Sequence, residues 1–493
     1  MIIKIEQDEI QQYLSDQANL TGSCDKVFIV KNSQEIIDVV VKANELKIPL
    51  TVCGNHTSLT GASLPSSGWV ISTEELNQVL EINEDEMYAI VEPGITLRSL
   101  QLALAPFGLF FPPDPTEDSC FIGGMIGTNA SGARSFSFGP TRSFIEALEV
   151  VLPTGEEVSV SCHEKIVNNQ FVLNSSKGSS IQFDIPWSYV LPDVKNAAGY
   201  FLKPEMSPVD VFIGAEGTLG IVTRARLKLK KVAESYISMV IFFEQLEDCF
   251  KCIDKLRITS KNTENLSNVP KACTDVIEFF DENSLNILRD KFPDIPGGAK
   301  AALWVECGTY SNSSYDLLLN EWEAFLLAQD IDPSLIWFGA DSNDRAKIKD
   351  MRHALPISIN EIIKKRNVKK LGTDIAVPNH LFEDFYYKAI RETEKAGLQY
   401  VVFGHFGDAH MHLNIIPSGI EQMKTGKKLY DDLCLAAIDI GGTFSAEHGV
   451  GKLKCNYLKV MIGDVNFQFM KDVKHAFDPE NILGRGTLFN ITN

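Results

Sequence analysis

The sequence predicts an α+β protein built as more than one domain, and three observations predict it. Its 493 residues exceed what one hydrophobic core usually organises. Apolar runs of strand length alternate with helix-period stretches, without an internal repeat or a low-complexity segment. Near residue 232 the texture changes, from short strands joined by glycine-rich turns to longer apolar strands and amphipathic helices. The expected boundaries are 1–232, 233–440 and 441–493, the last a polar loop followed by a helical segment.

Along the first domain, Lys26 to Lys31 reads as a strand, and Asn32 caps a helix running from Ser33 to about Lys47. Pro49 to Val52 is a short strand that delivers Cys53-Gly-Asn-His-Thr-Ser-Leu-Thr-Gly61, a run whose small residues expose the backbone N–H groups needed to cradle a pyrophosphate. Ala89 to Val91 is a strand ending in the turn Pro93-Gly94, followed by a helix from Thr96 to about Leu104. Pro112 to Pro115 fixes an extended turn. Gly123, Gly124, Gly127 and Gly132 then let backbone approach a flat or phosphorylated ligand. Residues 147–158 form a hairpin about Thr154-Gly155, and Phe212 to Thr223 is another glycine-rich turn opening a strand.

In the second domain, strands are expected at 235–243, 276–280, 301–307 and 371–378, and helices at 245–256, 314–329 and 345–367. Cys249 and Cys252 form the only CxxC and lie on the helix at 245–256, which reads as a helix face and not as a redox or metal site. The stretch Phe403-Gly-His-Phe-Gly-Asp-Ala-His-Met-His-Leu-Asn414 holds three of the nine histidines within eight positions. Apolar residues flank it, so it reads as two strands joined by the two-residue turn Gly407-Asp408. His405 then faces His410, and alternation puts His405, His410, His412 and Asn414 on one face. With Glu447-His448 further on, such a face suits a divalent cation or proton transfer. Taken alone, it suits equally well two half-buried strands whose imidazoles bond to backbone.

A net charge of −19 argues against nucleic acid or an anionic membrane as partner. The ten cysteines show neither a paired framework nor a four-cysteine set for an iron–sulfur cluster. No basic region followed by an apolar core opens the chain, and no run of about 18 apolar residues occurs. A reducing, cytoplasmic setting is expected, with peripheral attachment to the inner membrane as the alternative.

Five motifs in order, Gly54…Thr57-Ser58…Gly61, Pro93-Gly94, Pro112-Pro-Asp-Pro115, Ile122-Gly-Gly…Thr128-Asn-Ala130 and Gly214-Ala-Glu-Gly-Thr-Leu-Gly-Ile-Val222, resemble the FAD domain of the vanillyl-alcohol oxidase/p-cresol methylhydroxylase superfamily. Arg352, Asp374-Ile-Ala-Val-Pro378, residues 404–414 and Ser445-Ala-Glu-His-Gly-Val-Gly-Lys452 resemble the C-terminal domain of FAD-linked oxidases, in the branch of D-lactate, glycolate and D-2-hydroxyglutarate dehydrogenases. The two resemblances together span about residues 20–490. They imply a two-subdomain α+β FAD domain, a substrate domain with an antiparallel sheet, and a C-terminal segment packed back on the FAD domain.

The resemblance also implies roles. FAD contacts would come from Gly54, Asn55, His56, Thr57, Ser58, Gly61, Pro93, Gly94, Pro113, Asp114, Gly123, Gly124, Gly127, Asn129, Ala130, Ser131, Gly132, Glu216, Gly220, Ile221 and Val222. Some relatives attach FAD through a histidine in the first loop; the matching position here is Thr57, so FAD is expected to be non-covalent. His405, His412 and Glu447 would bind a divalent metal, zinc first and iron or manganese as alternatives, with His448 as general base and Asn414 bonding substrate. Arg352 is the candidate carboxylate clamp, because guanidinium pairs bidentately with carboxylate. Relatives selective for a five-carbon diacid carry a lysine just before the aspartate matching Asp374, where this chain has Gly372-Thr373, with Lys369-Lys370 slightly earlier.

These residue types suit removal of a hydroxyl proton and a C2 hydride from a 2-hydroxy acid. A chelated cation lowers the hydroxyl pKa, and a neutral imidazole with a pKa near ~6.5 takes the proton. The expected activity is oxidation of D-lactate, with D-2-hydroxyglutarate or glycolate as alternatives and a quinone, cytochrome or electron-transferring flavoprotein as external acceptor. A homodimer is the default assembly. An alkylglycerone-phosphate synthase, a non-catalytic FAD-binding electron-transfer subunit and a metal-only hydrolase are the competing readings. The histidine set argues against the first two and the ordered FAD motifs against the third. His56, His163, His380 and His475 read as ordinary surface or core residues, and His353 and His410 as neighbours of the site.

Overall fold

The computed structural model describes residues 1–18, 20–261 and 272–489; the last four residues of the expected C-terminal segment lie outside them. The first unit is built on two main sheets, and residues of both line a cleft. One has four strands in the order Ile2–Lys4, Lys26–Ile29, Trp69–Ser72, Leu50–Cys53, and its last three strands run parallel. Parallel neighbours need a crossover, supplied by the helix Ser33–Leu46, whose Asn32 side chain accepts from Glu35 N and whose Ile36, Val39, Val40 and Ala43 form one buried stripe. The other sheet is antiparallel, in the order Val79–Asn83, Tyr88–Val91, Ile221–Lys228, Ile145–Val151, Glu157–Ser161. Burial alternates along Ile221–Lys228, as it must in a strand with one face in the core.

The glycine cluster after the proline turn is more ordered than a loop. Residues Ile122–Thr128 form one short helix, closed by Asn129 in the left-handed conformation. A Cβ at Gly132 would lie 1.9 Å from the Asp114 carbonyl oxygen. That close approach binds the proline turn to the 131–135 segment.

The second unit is an eight-stranded sheet. Its main path is Ile336–Phe338, Ser235–Phe243, Ala301–Thr309, Val276–Asp281, Tyr400–His405, His410–Ile415, Leu371–Gly372. The central strands are buried along their whole length because both faces are covered. Ile237, Met239 and Ile241 pack towards the helices Leu246–Lys261 and Phe382–Lys395, and Val240 and Phe242 towards the helices Glu282–Leu288 and Ser342–Arg366. The strand expected at 371–378 is two short pieces, Leu371–Gly372 and Ile375–Ala376, each paired with His410–Ile415. The interruption falls at Thr373-Asp374, where the Asp374 carboxylate bonds to the 445–448 loop as well as to His410.

The final helix, Cys455–Phe477, is kinked at Gly463 (φ 77°). It carries Phe477 against Phe171, Phe183 and Phe212 of the first unit. Leu50 N then donates to Ile482 O and Gly484 N to Leu50 O, so the tail extends the edge of the four-stranded sheet. Buried Lys474 donates to the carbonyls of Thr218 and Leu483 at 2.7 Å each and pairs with Asp478, fastening the same junction.

Asp281 caps the helix Glu282–Leu288 from a buried position, accepting from Ser284 N at 2.8 Å. Burial raises its carboxyl to about 7, against the bonds from Ser284. The folded state therefore keeps a proton that the unfolded chain releases near ~4, and this part of the stability is full below pH ~4 and is lost as pH rises through about 7. Asp281→Asn keeps the cap without the charge. Urea titrations should show it more stable than wild type by on the order of 1–3 kcal/mol at pH 8 and equal to it at pH 4.

Candidate active site

The histidine hairpin keeps the expected register: Phe403 pairs with His412 and Val402 with Leu413, which sets His405 opposite His410. The turn is wider than the two residues expected. Phe406–Asp408 form a single 3-10 turn and Ala409 closes it in the left-handed conformation. The cause is Phe406, whose ring stacks on Phe279 at 4.0 Å between centroids and whose carbonyl accepts from buried Arg257. His405, His410, His412 and Asn414 share one buried face.

A second layer orients these rings. Nδ1 of His405 is hydrogen-bonded to Glu278, a wholly buried carboxylate that also accepts from Arg352 Nε at 2.8 Å. Burial alone would raise Glu278, but His405 and Arg352 outweigh it and hold it at about 2. Burial works against charge on His405 too, and Glu278 overrides it, so that ring rises to about 9. His412 donates through Nδ1 to the Thr373 carbonyl at 3.2 Å, which leaves the lone pair on Nε2. Oε1 of Glu447 lies 3.3 Å from His405 Nε2, 3.3 Å from His412 Nε2 and 3.8 Å from His448 Nε2. Its other oxygen, Oε2, accepts from Ser131 Oγ at 3.0 Å and pairs with Lys195 Nζ at 3.1 Å.

Asp374 anchors the loop that carries Glu447 and His448. It accepts from Ser445 Oγ, His448 N and His410 Nε2, each at 2.9 Å, and Lys454 Nζ stands 3.4 Å away. Burial opposes its charge, yet His448, Lys454 and His410 hold the carboxyl well below its ordinary value. His448 Nδ1 faces the same carboxylate at 3.4 Å, and burial pushes this imidazole down to about 4 with Asp374 resisting. The value near ~6.5 expected for a general base is therefore corrected: His448 is neutral at pH 7, able to accept a proton, and a weaker base than a free imidazole.

The donor atoms of His405, His410, His412 and Glu447 lie within 4.8 Å of one another. His410, expected only to border the site, belongs to the cluster, and its buried Nδ1 has no hydrogen-bond partner. Imidazole nitrogens converging on a carboxylate oxygen, with outer nitrogens fixed by Glu278 and Thr373, fit a divalent cation. Arg352 spends Nε on Glu278; Nη2 lies 3.4 Å from Thr116 Oγ1 and Nη1 is buried without a partner. Asn414 Nδ2 donates to His412 O, and its Oδ1 would lie 2.8 Å from a Cβ at Gly372.

The cluster stands at one end of the cleft, which Glu447 and His448 also line. Gly54, Asn55, His56, Thr57, Ser58, Pro93, Gly123, Gly124, Gly127, Ala130, Ser131, Gly132, Glu216, Gly220, Ile221 and Val222 line it. A Cβ at Gly124 would meet nothing within 4 Å, so backbone there stands open to a ligand. His56 packs edge-on to Tyr13, and its buried Nδ1 lacks a partner. Gly61, Gly94, Pro113, Asp114 and Asn129 are not among the lining residues. Gly61 packs against Leu20, and Gly94 N bonds to Leu76 O. Pro113 is buried, Asp114 turns to Arg134, and the Asn129 side chain accepts from Arg142 N. Glu216 also joins the units: its buried carboxylate, raised to about 7 by burial, accepts from Val450 N and Gly451 N at 2.8 Å each.

Glu278, Asp374 as an anchor, and Lys195 were not identified from the sequence. A lone acid inside the apolar run Val276-Ile-Glu-Phe-Phe280 is a signal for the first, and Asp374 before Ile-Ala-Val is a weaker one. Lys195 has no such signal. Asp374→Asn leaves Lys454 and the 445–448 loop without their buried carboxylate and should cost about 3–5 kcal/mol of unfolding free energy. A urea curve coincident with wild type would show that the loop does not depend on it.

Two family models match the chain. Residues 236–488 match the "FAD linked oxidases, C-terminal domain", and residues 24–161 match an "FAD binding domain". A D-lactate dehydrogenase of Anaerostipes hadrus is 28% identical over 98% of this chain and 93% of its own. A D-2-hydroxyglutarate dehydrogenase of Stutzerimonas stutzeri (strain A1501) is 26% identical over 98% of this chain and 95% of its own. A solved structure of 4-ethylphenol oxidase from Gulosibacter chungangensis superposes with a TM-score of 0.70, covering 99% of this chain and 94% of that one at 17% identity; it shares the fold. Among the described residues no helix is long and apolar enough to cross a membrane.

Proposed function

Since the chain belongs to the FAD-linked oxidases and is an FAD-linked oxidoreductase, we propose that it oxidises a D-2-hydroxy acid, D-lactate first, to the 2-keto acid. The observation that carries this reading is the meeting of His405 Nε2, His412 Nε2 and Glu447 Oε1, with His448 beside them, at the end of the cleft. Bound FAD would supply the hydride acceptor, and a divalent cation held by His405, His412 and Glu447, zinc first with iron or manganese as alternatives, would acidify the substrate hydroxyl.

His448 presents Nδ1 to Asp374, which leaves Nε2 to take the hydroxyl proton, and burial keeps the ring neutral for that step. Arg352 offers its unpartnered Nη1 to the substrate carboxylate while Glu278 fixes the guanidinium in place. Asn414 borders the substrate from the hairpin face. The flavin is non-covalent, because Thr57 stands at the attachment position, and it is reoxidised by an external quinone, cytochrome or electron-transferring flavoprotein. The setting is cytoplasmic and the assembly a homodimer.

One observation favours D-2-hydroxyglutarate as a second reading. The Lys370 side chain reaches to within 3.7 Å of a Cβ position at Gly372, beside Asn414, and burial lowers its pKa. A cation there can answer a second substrate carboxylate.

Anaerobic visible spectra on adding D-lactate, D-2-hydroxyglutarate and their L forms test both readings. The D acid that is the substrate should bleach the flavin band and the L forms should not. His448→Ala should slow bleaching by about 10²–10⁴-fold. Prior removal of divalent ions by a chelator should abolish it, with recovery on adding zinc. A flavin band that no 2-hydroxy acid bleaches would end the assignment.

A further inference from the structure

We propose, on the footing of the divalent-cation reading above, that Lys195 is a positioning residue that divides the two oxygens of Glu447 between separate tasks. Lys195 stands in the irregular segment before the turn at 208–211 of the first unit, yet its ammonium lies inside the site and its side chain is only 9% exposed. Nζ donates to Ser135 Oγ at 2.8 Å, pairs with Glu447 Oε2 at 3.1 Å and stands 3.7 Å from Asp408 Oδ2. Ser131 Oγ supplies a second bond to the same Oε2 at 3.0 Å. Every donor on Oε2 thus comes from the first unit, whereas the imidazoles on Oε1 come from the hairpin of the second.

Two accounts of a buried lysine beside a cation site are distinguishable by position. A lysine standing in for the cation would sit among the imidazole Nε2 atoms on Oε1. Lys195 is instead on the far oxygen, where it can remain while a cation binds. A carboxylate pinned at Oε2 offers Oε1 alone, with its rotation already fixed, so the cation meets one oxygen and two imidazole nitrogens without reorganisation. Ser131 also lines the cleft, so the carboxylate that would hold the cation is tied to the cleft wall of the first unit.

The test uses the FAD-loaded protein and reads metal binding, not turnover. Zinc affinity by chelator competition and the cobalt-loaded absorption beyond the flavin band are measured for wild type, Lys195→Met, Lys195→Arg and Ser131→Ala, with FAD content and melting temperature alongside. Lys195→Met is expected to weaken zinc about 10–100-fold and to change the cobalt band at unaltered FAD content. Lys195→Arg should recover most of the affinity. Lys195→Met with wild-type zinc affinity and cobalt spectrum, even if less heat-stable, would leave Lys195 a structural tie and overturn the proposal while the cation reading stands. A wild type that binds neither zinc nor cobalt overturns both. Should Lys195→Met fail to fold, Ser131→Ala decides: about a tenfold loss with a moved cobalt band supports the assignment, and an unmoved band with unmoved affinity sinks it.

Discussion

The site depends on a carboxylate that never meets water. Asp374 is wholly buried, and an ionised group there is tolerated only if it is surrounded by donors. Those donors come from separate stretches of chain: the hairpin through His410, the 445–448 loop through Ser445 and His448 N, and the start of the last helix through Lys454. The same charge that fixes the loop backbone faces Nδ1 of His448 and leaves Nε2 turned to the Glu447 side. Glu278 plays the matching part on the other side, fixing His405 and Arg352 together. Two buried acids thus hold in place the groups that a substrate would touch.

Much of this was legible in the residues, for reasons that differ from place to place. Period-two alternation placed His405, His410, His412 and Asn414 on one face, and the register confirms the face because a slip by one residue would have turned all four away. Turn length was less legible, since the two-residue hairpin gave way to the stacking of Phe406 on Phe279, a contact between strands far apart in sequence. The helix at Ile122–Thr128 was hidden by its glycines, which disfavour helix locally and are held there by neighbours. Strand 371–378 looked continuous because Ile375 and Val377 are apolar, and the break came from the bonding of Asp374. The cleft loops were found from small residues, but Gly61, Gly94, Pro113, Asp114 and Asn129 support the walls and do not form them. Nothing local distinguishes Lys195 from a surface lysine; only its position in space does.

The His448 environment illustrates why residue type is a poor guide to basicity. An imidazole was expected near its ordinary value, and burial carries it down to about 4 while Glu278 carries His405 up to about 9. Two histidines within one cluster are thereby pushed in opposite directions by their surroundings. Both rings face two carboxylates, and the closer bond of His405 to Glu278 is what separates them.

The return of the tail to the first sheet has a consequence for synthesis. Leu50 leaves the ribosome long before its edge partners Ile482 and Gly484. Until those partners are made, the edge of the four-stranded sheet stays unpaired, and the faces later covered by Phe477 and Lys474 stay open. The nascent chain therefore carries an exposed strand edge until the tail arrives, a period in which a holding chaperone would have most to cover.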